Sequence, residues 1–327
     1  MQVNSYETVR KVVVLGTGGT IAGRAVSPAD NVGYVAGQVG VGALLESIPG
    51  LAQGCDIMSE QVAQIDSKDM KFSVWMDLAN RVYHFLERDD VQGVVITHGT
   101  DTLEETAFFL QLLLNPAKPV VLTCAMRPAS SLFPDGPQNV LDAVSVARHV
   151  GARGVVVACA GVIHGAGDVQ KIHSYRLDAF SSGDAGPVGY VEEGKLRLLK
   201  NWPQTQYSWP KVAIEKIAAM ADVDAWPKVE IVMSYAGASG AVINALMTTG
   251  VEGIVVAGTG NGTVHSALEL ALLAVRKSGI RVMRSTRCAM GHVLALTNDP
   301  FMDAKGLTPV KARVALILDL LQAKVGQ

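Results

Sequence analysis

The chain has 327 residues and a formal net charge of −2 at pH 7, from 28 lysines and arginines against 30 aspartates and glutamates. This near balance gives no basic surface of the kind that binds nucleic acid, so no nucleic-acid partner is expected. The length is sufficient for two domains with sizeable cores. No apolar run is long enough to span a bilayer, and no membrane association is expected.

The first residues and the cysteines predict a cytoplasmic protein. Residues 1–16 contain no apolar stretch ahead of a small-residue cleavage site, so we expect no secretory signal. The widely separated cysteines form no C-x-x-C motif, and three of the four lie in or beside apolar runs: Cys55, Cys124, Cys159 and Cys288. Buried free thiols in a reducing compartment are therefore expected, and a metal site is not.

Strands and helices alternate through the first part of the chain. Apolar runs and turn residues predict, in order, strand 11–15, a loop rich in Gly, Asp and Asn at 24–40, helix 41–48, strand 55–65, helix 70–87, strand 94–96, helix 103–114, strand 119–124, helix 139–150 and strand 154–160. This alternation predicts a parallel sheet with helices on both faces. Residues 162–174 interrupt it with short, polar segments typical of hairpins.

A linker divides the chain into two predicted α/β domains. Residues 201–228 carry Trp-Pro pairs and turn residues without a sustained period. They separate an N-terminal domain, residues 1–200, from a smaller C-terminal domain, residues 229–327. The second domain has strands predicted at 229–233, 253–257 and 280–285, and helices at 238–249 and 264–277, with a last helix ending at 323.

Two turns that follow buried strands carry hydroxyl and carboxylate side chains. Residues 16–23 place Thr20 after the first strand, and residues 98–101 place Thr100 and Asp101 after a later one. The carboxyl ends of parallel strands are where open α/β folds bind their ligands. In this position the two side chains could hold and attack a small polar substrate. Thr100 or Asp101 could instead cap the helix that follows, since both residue types are favoured N-caps.

Motifs typical of other enzyme classes are absent from the sequence. The glycine-rich segments 16–21 and 258–263 each lack the third glycine of the dinucleotide pattern G-x-G-x-x-G. Ile21 and Thr263 stand in its place. There is no phosphate-loop lysine followed by Ser or Thr, no G-x-S-x-G and no H-E-x-x-H. We therefore expect no cofactor.

The two turns together resemble the signature motifs of the bacterial-type L-asparaginases. These motifs are TGGTIAG at residues 17–23 and HGTDTLEETA at residues 98–107. The resemblance extends in order through Ala125–Pro128, Asp135–Pro137, Gly258–Gly262 and Lys311–Val314, and so covers nearly the whole chain. It implies hydrolysis of the side-chain amide of L-asparagine to L-aspartate and ammonia through a threonine nucleophile.

The resemblance also implies a set of catalytic residues. Thr20 is the primary nucleophile, with Tyr34 beside it on the mobile loop. Thr100, Asp101 and Lys171 form a second group, in which Asp101 holds the substrate's α-ammonium. Lys171 acts either as a base, after burial lowers its proton affinity, or as a fixed cation that favours the Thr100 alkoxide. By position alone, Tyr34 could be a loop anchor and Lys171 a solvated charge.

Substrate-binding residues follow from the same resemblance: Ser67, Lys68, Asp101, Ala125 and Asn261. Ser67 would contact the substrate's carboxylate, and it could also cap the helix 70–87, because a helix N-terminus is already an anion site. Asn261 would come from a partner subunit. Its alternative interpretation is a left-handed turn residue between two glycines.

Two departures from the family bear on substrate affinity. Lys68 stands where high-affinity members often have glutamine, and its ammonium could face the substrate carboxylate, a nearby acid such as Asp66 or Asp69, or solvent. Those members also borrow a glutamate from a partner subunit, but residues 285–327 contain no glutamate. Asp299 or Asp303 would have to replace it, or the contact is absent. The preference between asparagine and glutamine therefore stays open.

The resemblance implies a homotetramer, a dimer of close dimers, with active sites between the N-terminal domain of one chain and the C-terminal domain of another. Three alternatives use the same scaffold: a glutaminase-asparaginase of broader specificity, a non-catalytic amino-acid-binding module and an amidotransferase subunit. A binding module need not keep Thr20, Thr100 and Lys171 together, so their joint presence favours an enzyme.

Overall fold

The structure is a computed structural model that describes residues 10–53, 55–203, 226–294 and 297–325. Contacts between residues divide the chain into two compact units, Met1–Ser208 and Trp209–Gln327, which are described one at a time. Most of the predicted linker, residues 204–225, lies outside the described residues. None of the described helices is long and apolar enough to cross a membrane.

Strands and helices alternate along the chain. In the described residues the strands are β1 (Lys11–Gly18), β2 (Arg24–Ala25), β3 (Tyr34–Val35), β4 (Asp56–Ile65), β5 (Val91–Thr97), β6 (Pro119–Thr123), β7 (Gly154–Cys159), β8 (Val162–Gly165), β9 (Gln170–Lys171), β10 (Phe180–Ser181), β11 (Gly189–Glu192), β12 (Lys195–Leu198), β13 (Val229–Met233), β14 (Gly253–Gly258), β15 (Arg281–Thr286) and β16 (Met302–Asp303). The α-helices are α1 (Val41–Glu46), α2 (Phe72–Leu86), α3 (Leu103–Leu114), α4 (Gly136–Arg148), α5 (Ala241–Met247), α6 (Ser266–Lys277) and α7 (Pro309–Val325).

The first unit contains an eight-stranded sheet in the order β12-β11-β8-β7-β6-β5-β1-β4. Strands β4, β1, β5, β6 and β7 run parallel, which confirms the predicted parallel sheet. Strands β8, β11 and β12 extend it with antiparallel pairing. The change of direction follows from the turn between β7 and β8, which contains only Ala160 and Gly161, with φ of 50° and 75°. A two-residue turn of this kind joins antiparallel strands.

Helices cover both faces of this sheet, as the sequence predicts. On one face, Val12, Val14 and Val95 form a single core cluster with residues of α1 and α4. The alternate strand residues, such as Val13 and Val94, point to the opposite face, where α2 and α3 pack. Because both faces are buried, these strands are continuous apolar runs rather than alternating patterns.

The two threonine turns meet where β1 and β5 end. These strands are hydrogen-bonded neighbours, with Gly16 paired to Thr97. The chain continues from β1 to β4 on one side and from β5 to β6 on the other, so the strand order reverses between them. In open α/β sheets the crevice at such a switch point is the place where ligands bind.

A backbone contact fixes the two turns against each other. Gly19 has a φ of 79°, and a methyl group added to it would lie 2.3 Å from the Cα atom of Gly99. A methyl group on Gly99 would in turn lie 2.5 Å from Oγ of Ser67. Only glycine allows both approaches. The turns that carry Thr20 and Thr100 therefore have a defined relative position.

The second unit is a smaller α/β body, as predicted for the C-terminal part of the chain. Its four strands, in the order β13-β14-β15-β16, are all parallel. Val232 and Ile254 of the sheet pack with Leu268 and Leu272 of α6 in one core cluster. Helix α7 packs against β13, β14 and β15.

The cysteines are free thiols. Cys55, Cys124 and Cys159 are buried and Cys288 is exposed. The prediction of buried thiols in or beside apolar runs is therefore confirmed for three of the four.

Candidate active site

Thr20 lies in a short 3-10 turn, Thr20–Ala22, directly after β1. Its side chain is nearly buried, and its Oγ1 atom lies 2.6 Å from Oη of Tyr34. The Tyr34 ring packs so closely on Gly23 that a methyl group there would lie 2.8 Å from the ring. Tyr34 is thus held against the hydroxyl of Thr20 rather than serving only as a loop anchor.

The segment 24–40, predicted as a loop, contains two short strands. Strands β2 and β3 pair as a small antiparallel hairpin that brings Tyr34 back toward the end of β1. The hairpin is bound to a second loop, where Ser130 Oγ accepts a hydrogen bond from the backbone N–H of Ala25 at 2.8 Å. Ser131 Oγ lies 2.7 Å from Oδ1 of Asn31. These serines could not be predicted from the sequence, because contacts between loops leave no periodic pattern.

Thr100, Asp101 and Lys171 form one hydrogen-bonded cluster. Nζ of Lys171 donates to Oγ1 of Thr100 at 2.8 Å and to Oδ1 of Asp101 at 2.6 Å. Helix α3 begins after Thr102, and its N-cap has no side-chain hydrogen bond. The alternative interpretation of Thr100 or Asp101 as the helix cap is therefore wrong. Their side chains point to the lysine instead.

Lys171 is positioned by the short strands β9 and β10. It pairs with Phe180, and its side chain is only 18% exposed. The alternative interpretation as a solvated hairpin charge is therefore wrong. Nζ of Lys171 is thus in hydrogen-bond contact with the hydroxyl of Thr100, which both of its expected roles, base and fixed cation, require.

Ser67 holds the Thr100 turn in place through two hydrogen bonds. Its Oγ accepts a hydrogen bond from the backbone N–H of Asp101 at 3.1 Å, and its carbonyl accepts one from Oγ1 of Thr102 at 2.8 Å. The interpretation of Ser67 as the cap of the following helix is wrong, since α2 begins only at Phe72. Asp66 takes that role for the 3-10 turn Ser67–Asp69, because its side chain accepts from the N–H of Lys68.

Lys68 forms an ion pair with Asp66, with 3.2 Å between Nζ and Oδ2. Its side chain is 64% exposed. The pKa of Lys68 is raised, mainly by the hydrogen bond to Asp66 and then by the charges of Asp66, Asp69 and Asp101. Lys68 is thus a cation among carboxylates at the rim of the Thr100 turn.

Ala125 is buried at the end of β6, in a loop that Asp135 holds in place. The Asp135 carboxylate accepts hydrogen bonds from the backbone N–H groups of Met126 and Arg127, each at 2.9 Å. Asn139 also binds this loop by donating to the carbonyl of Cys124 at 2.9 Å. These contacts fix the backbone around Ala125.

His98 is a buried polar residue whose contacts support the Thr100 turn and were not predicted from the sequence. Its Nδ1 atom lies 2.7 Å from the carbonyl oxygen of Gly99, and its Nε2 atom lies 3.0 Å from Oγ1 of Thr106. Complete burial lowers the pKa of His98 to about 4, and the hydrogen bond to Gly99 opposes this only partly. The signal in the sequence is Thr106, a polar residue on the apolar face of α3 beside Leu103 and Ala107.

The candidate residue Asn261 of the second unit has a structural partner within that unit. Asn261 binds the backbone of Leu294: its Oδ1 accepts from the N–H at 2.7 Å, and its Nδ2 donates to the carbonyl at 3.3 Å. Its φ is not in the left-handed region, which its neighbours Gly260 and Gly262 occupy. The alternative interpretation of Asn261 as a left-handed turn residue is therefore wrong.

The two aspartates considered as replacements for the family's glutamate also lie in the second unit. Asp299 accepts hydrogen bonds from Arg284 at 3.1 Å and from the N–H of Phe301 at 2.9 Å. Its side chain is only 14% exposed, so its charge is used inside its own unit. Asp303 lies in the short strand β16, and its side chain accepts from the N–H of Lys305 at 2.8 Å.

Comparison with known proteins gives the class of this fold and site. The family described as "Asparaginase, N-terminal" matches residues 11–204, and "Glutaminase/Asparaginase C-terminal domain" matches residues 228–325. The chain is thus an amidohydrolase enzyme.

Relatives match over nearly the full length. The chain is 38% identical to a probable periplasmic L-asparaginase of Haemophilus influenzae, over 96% of this chain and 89% of that protein. It is 36% identical to a glutaminase-asparaginase of Pseudomonas fluorescens biotype A, over 99% and 90%. The crystal structure of a probable cytoplasmic L-asparaginase from Campylobacter jejuni matches with a TM-score of 0.89 and 38% identity, over 97% of this chain and 98% of that one. The chain therefore belongs to the asparaginase family.

The buried His98 predicts a pH dependence of stability. Its pKa is about 4 in the folded protein and near 6.5 when exposed, so between these values the unfolded chain binds more protons. The stability that this group contributes is complete above pH 6.5 and is lost as the pH falls toward 4. The difference corresponds to about 3 kcal/mol.

We expect the urea-unfolding free energy of the wild type to fall more between pH 7 and pH 4 than that of the variant His98→Asn, which lacks the titrating group. Comparing the two proteins removes the contributions of all other groups. Equal losses in the two proteins would contradict the prediction.

Proposed function

We propose that the chain is an L-asparaginase that hydrolyses the side-chain amide of L-asparagine to L-aspartate and ammonia through Thr20. One observation carries the proposal: Thr20, paired with Tyr34, and Thr100, clustered with Asp101 and Lys171, stand on two turns that touch through Gly19 and Gly99. Amide hydrolysis needs a nucleophile, a group that removes its proton and a proton for the leaving ammonia. Hydroxyl, ammonium and carboxylate groups together meet these needs without a cofactor.

In the proposed first step, Oγ1 of Thr20 attacks the amide carbon, and its proton passes toward the neighbouring hydroxyl of Tyr34. The proton is relayed to the amide nitrogen as the C–N bond breaks, so that ammonia leaves and an ester of aspartate remains on Thr20. Water then cleaves this ester, which releases L-aspartate and restores the threonine. Lys171 acts as the fixed cation that polarises the hydroxyl of Thr100, and Thr100 in this form assists the proton transfers of the reaction.

The substrate's charged groups match the charges around the Thr100 turn. We propose that the half-exposed carboxylate of Asp101 binds the α-ammonium, since an opposite charge is its natural partner. The α-carboxylate lies against Ser67 and Lys68, and the backbone near Ala125 contacts the amide. These contacts orient the amide toward Thr20.

The direct test is ammonia release by the purified chain from L-asparagine, aspartate β-hydroxamate and L-glutamine. Preference for asparagine supports an L-asparaginase. Comparable rates on asparagine and glutamine would instead support a glutaminase-asparaginase, the name carried by one of the relatives. No turnover of any of the three would leave only a binding module or an amidotransferase subunit. Loss of activity with a chelator would contradict the cofactor-free mechanism.

The variants Thr20→Ala and Thr100→Ala should each lower kcat at least about 1000-fold while leaving the fold intact. Both side chains lie in turns beyond the strand ends, so their removal opens no large core cavity. Groups that act as a unit are not additive, so the double variant should be little worse than either single one.

These variants are judged by ammonia release and by melting temperature. Thr248→Ala, which removes an exposed hydroxyl at the end of α5, is the matched control and should keep wild-type kcat. Near-normal turnover by Thr100→Ala would mean that the Thr100–Asp101–Lys171 cluster has no catalytic part.

The variant Lys68→Gln should raise KM for asparagine by about two- to fivefold and leave kcat nearly unchanged. Lys68 offsets the charges of Asp66, Asp69 and Asp101, which would otherwise repel the substrate's carboxylate. The effect is modest because the side chain is mostly exposed and screened by water. Binding far from the reacting amide acts on KM rather than on kcat.

Salt gives the control for Lys68, because screening weakens interactions between exposed charges. Wild-type KM should rise with ionic strength more than that of the variant. Equal KM values for the two proteins across a salt series would show that the lysine side chain has no part in recognition.

We further propose a homotetramer, a dimer of dimers, in which Asn261 of one copy helps to complete the site of another. Large apolar side chains exposed on the second unit support extensive contacts between copies: Met233, Tyr235, Leu270, Met290 and Leu294. Light scattering at assay concentration should give the mass of four chains. An active monomer would refute the proposal.

A cytoplasmic location and a division into domains 1–200 and 229–327 complete the proposal. The buried free thiols fit a reducing compartment, and one solved relative carries the name cytoplasmic, although another relative is named periplasmic. Activity in the periplasmic fraction of the producing cell would contradict the location. Limited proteolysis that cuts inside either range, rather than between them, would contradict the domain division.

A further inference from the structure

A chain of buried polar groups connects the helices α2 and α3 to the turn that carries Thr100. Nε1 of Trp75 in α2 donates a hydrogen bond to Oγ1 of Thr106 in α3 at 2.9 Å. That oxygen lies 3.0 Å from Nε2 of His98, and Nδ1 of His98 lies 2.7 Å from the carbonyl oxygen of Gly99. Trp75 is 4% exposed, and Thr106 and His98 are fully buried.

The carbonyl of Gly99 and the indole N–H of Trp75, at the two ends of this series of hydrogen bonds, determine which atom donates in each bond. The carbonyl of Gly99 can only accept, so Nδ1 of His98 carries the hydrogen. In the neutral ring Nε2 is then the acceptor, and the hydroxyl of Thr106 must donate to it. The indole N–H of Trp75 can only donate, so it takes the remaining lone pair of Thr106. Each group in the chain has a partner of the right kind.

The chain ends on the peptide group between Gly99 and Thr100. Because this group is planar, holding its carbonyl toward His98 also fixes the direction of the N–H of Thr100, which points the opposite way. Gly99 itself is wedged between Gly19 and Oγ of Ser67. The orientation of Thr100 toward Lys171 thus depends on contacts from both sides of the turn.

Trp75 and His98 are each held in place by a further contact. The Trp75 ring stacks on Phe109 of α3, with 4.8 Å between the ring centroids and 13° between the planes. The backbone N–H of His98 donates to the carbonyl of Thr123 in the neighbouring strand at 2.9 Å. A conformational change of the Thr100 turn would therefore leave buried donors and acceptors unpaired, which is costly in the protein interior.

We propose that Thr106 and Trp75 are positioning residues for the hydrolysis, which hold His98 on the carbonyl of Gly99 and so set the geometry of Thr100. The inference rests on the proposed function. None of these three side chains takes part in the Thr100–Asp101–Lys171 cluster itself. Their effect should therefore fall on kcat, through the placement of Thr100, and much less on KM.

The test compares Thr106→Val with Thr106→Ser. Valine keeps the shape of threonine but offers neither donor nor acceptor, so Nε1 of Trp75 and Nε2 of His98 lose their partner. Serine keeps the hydroxyl and loses only a methyl group. We expect Thr106→Val to lower kcat about tenfold with KM within about twofold of wild type, and Thr106→Ser to stay within about threefold of wild type in both.

A second measurement needs no substrate. In protein labelled with ¹⁵N-histidine, the His98 signals should show hydrogen on Nδ1 and a bare, hydrogen-bonded Nε2 in the wild type, with assignment from His98→Asn. In Thr106→Val the Nε2 signal should shift and the Nδ1 hydrogen should exchange faster with water. Thr106→Ser should keep the wild-type signals.

Several results would overturn the inference. They are wild-type kcat in Thr106→Val, an equal loss in Thr106→Ser, a loss confined to KM, or a hydrogen found on Nε2 in the wild type. If Thr106→Val does not fold, the pair His98→Asn and His98→Leu replaces it. The asparagine amide can still donate to Gly99 and should keep about tenfold more kcat than leucine, and equal values would refute the role. A wild type without ammonia release would overturn the proposed function, while the histidine spectrum would still decide whether the hydrogen-bond chain exists.

Discussion

The contact between the backbones of Gly19 and Gly99 is the constraint on which the site depends. It joins a turn after β1 to a turn after β5, and these strands are neighbours at the point where the strand order reverses. A methyl group on Gly19 would lie 2.3 Å from the Cα atom of Gly99, and one on Gly99 would lie 2.5 Å from Oγ of Ser67, so that either change would displace the turns. Thr20 and Thr100 would then no longer share one substrate, because reacting groups must be placed within fractions of an ångström.

The parallel core and the site residues on it follow from local sequence signals. Continuous apolar runs indicate β1, β5 and β6, and helix α3 spans Leu103–Leu114 as its pattern predicts. The sequence predicts hairpins at 162–174, but not that β8, β11 and β12 extend the parallel sheet, because the turn into β8 depends on the φ values of Ala160 and Gly161.

The contacts that hold the site residues in place could not be predicted for a different reason. The clustering of Lys171 with Thr100 joins residues 71 positions apart, and only the family motif indicates it. Ser67 suggests a helix cap by its position, yet its hydroxyl serves the backbone of Asp101, because the turn Ser67–Asp69 intervenes before α2. A pattern along the chain carries no information on such contacts across the fold.

Most residues of the site serve either the proposed reaction or the stability of the fold, and a few serve both. Thr20 and Thr100 stand beyond the strand ends and Lys171 stands on the short strand β9, where a polar side chain can keep its hydrogen bonds and still reach a ligand. Beneath them, polar groups are removed from water and must be fully paired. His98 belongs to this lower layer, and its neutral ring is the form that burial favours. Hydrogen bonds of fixed direction thus connect the helices α2 and α3 to the turn that carries Thr100. The packing of these helices therefore contributes to the geometry of the proposed reaction.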